Sequence, residues 1–385
     1  MTKAKALPDQ AQEAVADPVW RVYGLSLSYF TGKIEAYLRA KGQDYRLIEM
    51  SAADLRRCAS ITGVAWMPQV EMDDGRWLTD SCRIIEYVEA RSTKPAITPA
   101  NPAVAFVAGL IEDFGDEQLW RPALYYRWAF AEDRRLRGEQ IARTMLRGLR
   151  LPLWLKTRIV IARQRRVYMA GDGVTSDNRF AVEAEYLHCL DALEPVLASQ
   201  PFVLGDRPTE ADFGLFGGLF RHFAEDPTPA AIMASRAPAV LAWTRRLWSL
   251  QPQDFSHAPQ AIRIPENLGL LALAITSRFL PMLSAHQQAW ANGADLARYE
   301  HFGARFETRV NPYRVWRLAR LQGRFAALPE EAAREVEAWL SDATAVRLLR
   351  SSQSQPVPQP ISLPIPPANG GRLDRRPRDR QWRME

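Results

Sequence analysis

Short apolar runs and helical stripes alternate from Trp20 to Arg91. WRVYGL, Trp20–Leu25, reads as a strand. Ile34, Tyr37 and Leu38 then fall at i, i+3 and i+4, which predicts a helix over Thr31–Lys41 with Gly42 placed to stop it. A second strand is expected over Asp44–Glu49, a short helix over Ala52–Ala59, strands over Gln69–Met72 and Arg76–Leu78, and a helix over Ser81–Arg91. Asp74-Gly75 between the last two strands is a hairpin signal. Strand-helix-strand followed by helix-hairpin-helix makes a small α/β unit, residues 19–92.

Beyond it the period changes. STKPAITPANPA, Ser92–Ala103, is a proline-rich stretch that sets a linker at residues 93–101, with Asn101 as an N-cap and Pro102 as the first residue of the next helix. From residue 102 to 255 the pattern is helical with no strand. A proline-bearing connector, Ser256–Pro265, opens a helical extension over 256–350, with the pattern helical again over Glu266–Arg350. Its last helix opens at Pro329-Glu330-Glu331 and carries the stripe Val336, Trp339 and Leu340. Residues 1–18 read as a disordered leader, and residues 351–385, dense in Pro, Ser, Gln and Arg, as a disordered tail that buries no core.

Composition narrows the class without choosing within it. With 47% hydrophobic and 24% charged residues, the 385-residue chain has the balance of an ordinary soluble globular protein. The longest apolar run, Leu268–Leu283, is interrupted by Arg278 and Pro281, so no membrane span is expected. The formal charge is +6, but six arginines against three acids give residues 351–385 a net of +3, leaving about +3 for the rest. That bias is too weak to imply a nucleic-acid partner. Cys58, Cys82 and Cys189 show no metal-ligand or CxxC spacing, which suits a reduced, cytoplasmic protein. His188, His222, His257, His286 and His301 form no ligating pattern either, so no metal is expected. There is no G-x-S-x-G for serine hydrolysis.

Three places carry candidate chemistry. Ser26 and Ser28 stand between the first strand and the first helix, at the mouth of a helix dipole. Pro68 opens a strand, and if the Met67–Pro68 bond is cis it turns the backbone N–H and C=O of Met67 outward, where an extended peptide could pair with them. Asp80-Ser81 opens the next helix, whose free N–H groups suit a carboxylate. Taken singly, each has a bland reading: a turn serine, a strand-start proline, an empty N-cap.

Together, Ser28, Met67-Pro68 and Asp80-Ser81 resemble, in order and spacing, the glutathione transferase superfamily. PFVLGDRPTEADFGLFGGLF, Pro201–Phe220, is similar to that family's C-terminal signature, with Thr209–Asp212 as a capping box. The resemblance covers roughly residues 19–250. It implies an α/β thioredoxin-like N-terminal domain followed by an all-α C-terminal domain, here with a helical extension. It also implies glutathione as co-substrate, held by Met67, Pro68, Asp80 and Ser81, and a small apolar electrophile as second substrate. A homodimer belongs to the same expectation. Ser28 would then be catalytic: its hydroxyl, aided by the helix dipole, would favour the thiolate of glutathione, because a free thiol near pKa 8.5 is mostly protonated at neutral pH. Ser26 and Tyr23 remain alternatives for that hydroxyl. A lyase, isomerase or ether-cleaving reaction would use the same residues.

A second reading, a non-catalytic binding or interaction module, rests on a missing basic contact before Met67, the helical extension and the Arg-rich tail. Tyr29 stands where a proline often follows the catalytic residue, and Gly63-Val64-Ala65-Trp66 supplies no Lys or Arg before Met67. Cys82, at a helix N-terminus, is either an activated thiol or a small buried side chain. Phe114, Trp120, Tyr125 and Tyr126 either line an electrophile pocket or are core. Finally, Arg134–Arg166 holds eleven Lys/Arg and one acid, Glu139. It reads first as a solvated face over an apolar underside, with an anionic second substrate or peripheral contact with an acidic membrane as the other readings.

Overall fold

A four-stranded sheet of order β2-β1-β3-β4 forms the N-terminal layer. The structure, a computed structural model, describes residues 19–351 and 356–367. The expected leader therefore lies outside the described residues. The strands are β1 (Trp20–Gly24), β2 (Tyr45–Glu49), β3 (Gln69–Glu71) and β4 (Trp77–Thr79), crossed by α1 (Tyr29–Ala40), α2 (Ala52–Thr62) and α3 (Ser81–Glu89). β1 pairs with β2 in parallel and with β3 antiparallel, and β3 pairs antiparallel with β4. The central strand is buried through Val22, Tyr23 and Gly24 because helices cover the sheet. Every element of the expected α/β unit is present, with no end moved by more than three residues.

Asn101 caps the next helix as its sequence position implies, accepting from the Ala103 and Val104 amides. The helical layer comprises α4 (Pro102–Gln118), α5 (Trp120–Ala129), α6 (Ala131–Met145), α7 (Leu153–Gln164), α8 (Arg179–Ser199), α9 (Glu210–Gly218), α10 (Pro227–Arg236) and α11 (Pro238–Ser249). Central α4 and α9 touch closely enough that a Cβ on Gly115 or Gly214 would meet the facing backbone at 2.5 Å. Asp212 anchors the start of α9, accepting from the Val203 and Thr209 amides and from Trp243 Nε1 at 2.9, 2.9 and 3.1 Å. Burial pushes this carboxyl up to about 6 despite those donors.

The extension holds α12 (Gly269–Ala274), α13 (Leu280–Ala291), α14 (Pro312–Ala326), α15 (Glu330–Leu340) and α16 (Ala343–Arg350). Two expectations fail here. Residues 296–309 are not helical: β5 (Leu296–His301) and β6 (Ala304–Arg309) form an antiparallel hairpin. Ala297, Tyr299 and His301 alternate inward along β5, as do Ala304, Phe306 and Thr308 along β6. The hairpin turns at Phe302-Gly303, both at positive φ, and the period of two overrides the helical surroundings. Secondly, Glu266–Ala291 is one helical stretch of 26 residues, passing from α12 to α13 through a π-helical turn at Ile275–Phe279; its most apolar 18 residues have a mean hydropathy of 1.6, so by length and composition it could cross a membrane. Arg278 and Pro281 do not interrupt it. It packs instead within the protein, with Leu271, Ile275, Phe279, Met282 and Leu283 in the common core.

The tail departs from expectation as well. Ile365 joins the free edge of β4, exchanging backbone hydrogen bonds with Trp77 at 2.9 and 2.8 Å. Its side chain packs against the cluster of Tyr23, Met50, Cys58 and Trp77. A sheet edge left unpaired is a template for any extended segment, and here residues of the same chain fill it.

Candidate functional site

Strand register gathers the three sequence-derived loops at one edge of the sheet. Tyr23 lies opposite Gln69, and Gln69 opposite Thr79, so these residues form one row across β1, β3 and β4. Beyond that row the chain leaves β1 towards Ser28, enters β3 from Met67-Pro68, and leaves β4 into Asp80-Ser81.

Ser28 is the N-cap of α1, half-buried, with its amide donating to the Leu25 carbonyl at 2.9 Å. No hydrogen bond engages its hydroxyl among the described residues. The two alternatives are placed differently. Ser26 is exposed, with its amide on Glu49 Oε1 at 2.9 Å. Tyr23 points to the α2 side of the sheet, stacks on Trp77, and donates its hydroxyl to Glu71 Oε2 at 2.8 Å.

The Met67–Pro68 bond is cis. Gln69 shapes the loop before it, with its side chain on the carbonyls of Val64 and Trp66 at 2.8 and 3.1 Å. Thr62 holds the other end of that amide at 2.8 Å. Trp66 donates to Thr79 Oγ1 at 2.8 Å, which ties the loop to the last strand. Neither backbone polar group of Met67 has a protein partner among the described residues, the condition an added extended peptide requires.

Asp80 is held at φ 71°, a left-handed backbone setting that few residues other than glycine adopt. Its carboxylate accepts from the Tyr313 hydroxyl at 3.0 and 2.9 Å and from the Cys82 thiol at 3.2 Å. Tyr313 comes from the first turn of α14, so the extension reaches the site. Pro360 and Ile361 close over the same place, leaving a cavity of about 10 Å³ among Trp66, Thr79, Asp80, Arg83 and Tyr313. That is room for about one water molecule. Neither Tyr313 nor Ile361 was suggested by the sequence, since nothing local marks a contact made across the whole chain.

Other candidates resolve plainly. Cys82 is fully buried and burial pushes its thiol well above the ordinary range, so the activated-thiol reading is overturned. Phe114, Tyr125 and Tyr126 are core residues. Trp120 is half-buried, stacks on Phe30 at the start of α1, and is the one of the four that is not fully buried. Tyr29 lies in the core, its hydroxyl donating to the Gly115 carbonyl and its ring occupying the space that Cβ atoms on Gly217 and Gly218 would need. A tyrosine at this position therefore fastens α1 to the helical layer.

Beneath α3 the two layers share a buried ionic network. Lys33 pairs with Glu112 and Asp116 at 2.8 Å each, while Arg317 reaches Asp113 and Asp116. Burial alone would lower the Lys33 ammonium, but Asp116 and Glu112 overcome it and hold it above its usual value. Beside this network a cavity of about 220 Å³ is lined by residues including Cys82, Glu86, Glu112, Glu210 and Arg320. No group of His, Cys, Asp and Glu suited to a metal occurs among the described residues.

A thioredoxin-like sheet whose β3 begins at a cis-proline, joined to a helical layer, defines a class of two-domain proteins. Residues 22–96 match the family model "Glutathione S-transferase, N-terminal domain", and residues 161–246 match "Glutathione S-transferase, C-terminal domain". The chain belongs to the glutathione transferase superfamily. No curated protein matches it in sequence. Among solved structures it is similar to a glutathione S-transferase from Rhodospirillum rubrum, at 18% identity, covering 66% of this chain and 99% of that one, with a TM-score of 0.42. A beta-etherase from a Sphingobium species shows 16% identity, coverage of 63% and 97%, and a TM-score of 0.43. A glutathione transferase family member from Pseudomonas fluorescens, with two glutathione bound, shows 15% identity, coverage of 66% and 96%, and a TM-score of 0.42.

Proposed function

We propose that the protein is a glutathione-dependent enzyme in which the thiolate of glutathione attacks an apolar electrophile. One observation supports this most: the unengaged Ser28 hydroxyl and the unpaired backbone groups of Met67 leave the sheet at the same edge. On this reading the peptide runs along Met67 as an added strand, and its acidic end lies at the N-terminus of α3 near Ser81. Ser28 donates to the sulfur, and the α1 dipole adds to that donation, so the thiol loses its proton more readily. The thiolate then forms a carbon–sulfur bond as the electrophile's leaving group departs with the bonding pair. The electrophile lies between the layers, near Trp120. A homodimer belongs to the same proposal.

A second reading, a binding module without turnover, has its own support. Asp80 is engaged by Tyr313, and Pro360 and Ile361 leave little space beside it. Ultraviolet titration of the glutathione thiol in the presence of protein separates the two. A thiolate band near neutral pH supports the enzyme. Retention on immobilised glutathione without that band supports the module, and neither signal sinks both.

A further inference from the structure

Five of the ten exposed large apolar side chains among the described residues fall between residues 136 and 159: Leu136, Leu149, Leu151, Trp154 and Ile159. Trp154 is the most open of them, at 61% exposed. They lie on α6, α7 and the turn between them, where α7 buries only Val160 fully. The charge of the same hairpin is one-sided. No acid occurs from residue 140 to 171, while eight Lys/Arg do. Arg143 pairs with Glu139 and Arg147 with Asp54, both at 2.6 Å. Arg150, Lys156, Arg158, Arg163, Arg165 and Arg166 have no carboxylate partner among the described residues.

On α7, Trp154 and Arg158 share one stripe by their spacing of four, with Ile159 and Arg163 beside it, and Arg165 and Arg166 follow in the π-helical turn Arg165–Ala170. Apolar and cationic side chains are thus interleaved over the outward half of the helix. A plain solvated face would not concentrate exposed leucine, isoleucine and tryptophan in this way. A second copy of the chain would set six unpaired cations against six. Nucleic acid would answer the charge and stack on Trp154, but the four exposed aliphatic side chains offer bases nothing to stack on.

We propose that the α6–α7 hairpin docks on an anionic lipid surface. Trp154, Leu149, Leu151 and Ile159 enter the boundary between headgroups and acyl chains, and the arginines reach outward to the phosphates. Clusters of four to eight cations beside such apolar groups suit anionic headgroups. The helix lies along the surface; it does not cross it. The inference is independent of the reaction proposed above, since none of these residues belongs to that site.

Sedimentation of the full-length protein with two vesicle preparations tests it, one of phosphatidylcholine and one of phosphatidylcholine containing phosphatidylserine. The protein is expected to sediment with the second only. Trp154→Ala, and separately Arg158→Gln with Arg163→Gln, should each weaken that binding by roughly tenfold while leaving the thermal unfolding midpoint in place, because all three side chains are exposed. Absence of binding to the anionic vesicles overturns the proposal. So does equal binding to both preparations, unchanged binding by both variants, or displacement of the vesicles by single-stranded RNA.

Discussion

The Tyr313 hydroxyl shares its proton between the two carboxylate oxygens of Asp80, at 3.0 and 2.9 Å, across 233 residues of sequence. This contact fixes the start of α14 against the start of α3 and makes the extension part of the candidate site. It also means that a ligand entering beside Asp80 meets side chains already in place.

Removal of residues 352–385 is expected to raise glutathione affinity between about fivefold and a hundredfold. Docking of residues 356–367 includes the two Trp77–Ile365 hydrogen bonds, each worth about 0.5–1.5 kcal/mol net, so ligand entry past Ile361 opposes roughly 1–3 kcal/mol. Calorimetric titration of full-length and shortened protein measures it. Equal affinities would show that the segment does not stand in the ligand's way.

Ser28→Ala is expected to reduce conjugation of a generic electrophile at least tenfold, about 1.4 kcal/mol of transition-state stabilisation. Tyr23→Phe should leave turnover near wild type, because that hydroxyl already serves Glu71. The opposite pattern in kcat/KM would assign the thiol-activating group to Tyr23.

Lys33→Met should destabilise the fold by about 3–5 kcal/mol, read from urea unfolding. The ammonium is wholly buried between two carboxylates, and removing it leaves their charge uncompensated across the layer boundary. A loss below about 1 kcal/mol would mean that Arg317 and the other cations suffice.

Glu210 predicts a pH dependence. Burial, with Glu112 adding to it, pushes this carboxyl up to about 7 from an ordinary 4.5, although the Thr98 hydroxyl donates to it and lowers it in part. Its second oxygen has no hydrogen-bond partner among the described residues. Between those pH values the folded protein keeps a proton that the unfolded chain has released. Stability from this group is therefore full below about pH 4.5 and is lost as the pH rises through about 7. Glu210→Gln should flatten that slope and at pH 8 be more stable than wild type by about 3 kcal/mol, the shift from 4.5 to about 7 at about 1.4 kcal/mol per unit. Thermal midpoints measured from pH 5 to 8 in steps of about one unit decide it.

The α/β unit was legible because its signals are local. Period, Gly42, the Asp74-Gly75 turn and the Asn101-Pro102 start each act within a few residues, and each matches an observed boundary. The hairpin of β5 and β6 carried an equally local signal, alternation around Phe302-Gly303, which the long helical patterns on either side obscured. The fate of Tyr29 was less accessible. Its departure from the usual proline is explained by Gly115, Gly217 and Gly218, residues that leave room for a ring only once α4 and α9 are packed.

By itself, then, the sequence determined where strands and helices begin, which residues sit at the ends of β1, β3 and β4, and the family whose pattern they share. Tertiary structure decided what those residues face: Tyr313 and Ile361 against Asp80, a buried thiol at Cys82, and a basic hairpin left open to its surroundings. The reason is range. Capping and periodicity are settled by neighbours along the chain, whereas burial, ion pairing and access depend on segments brought together from hundreds of residues away.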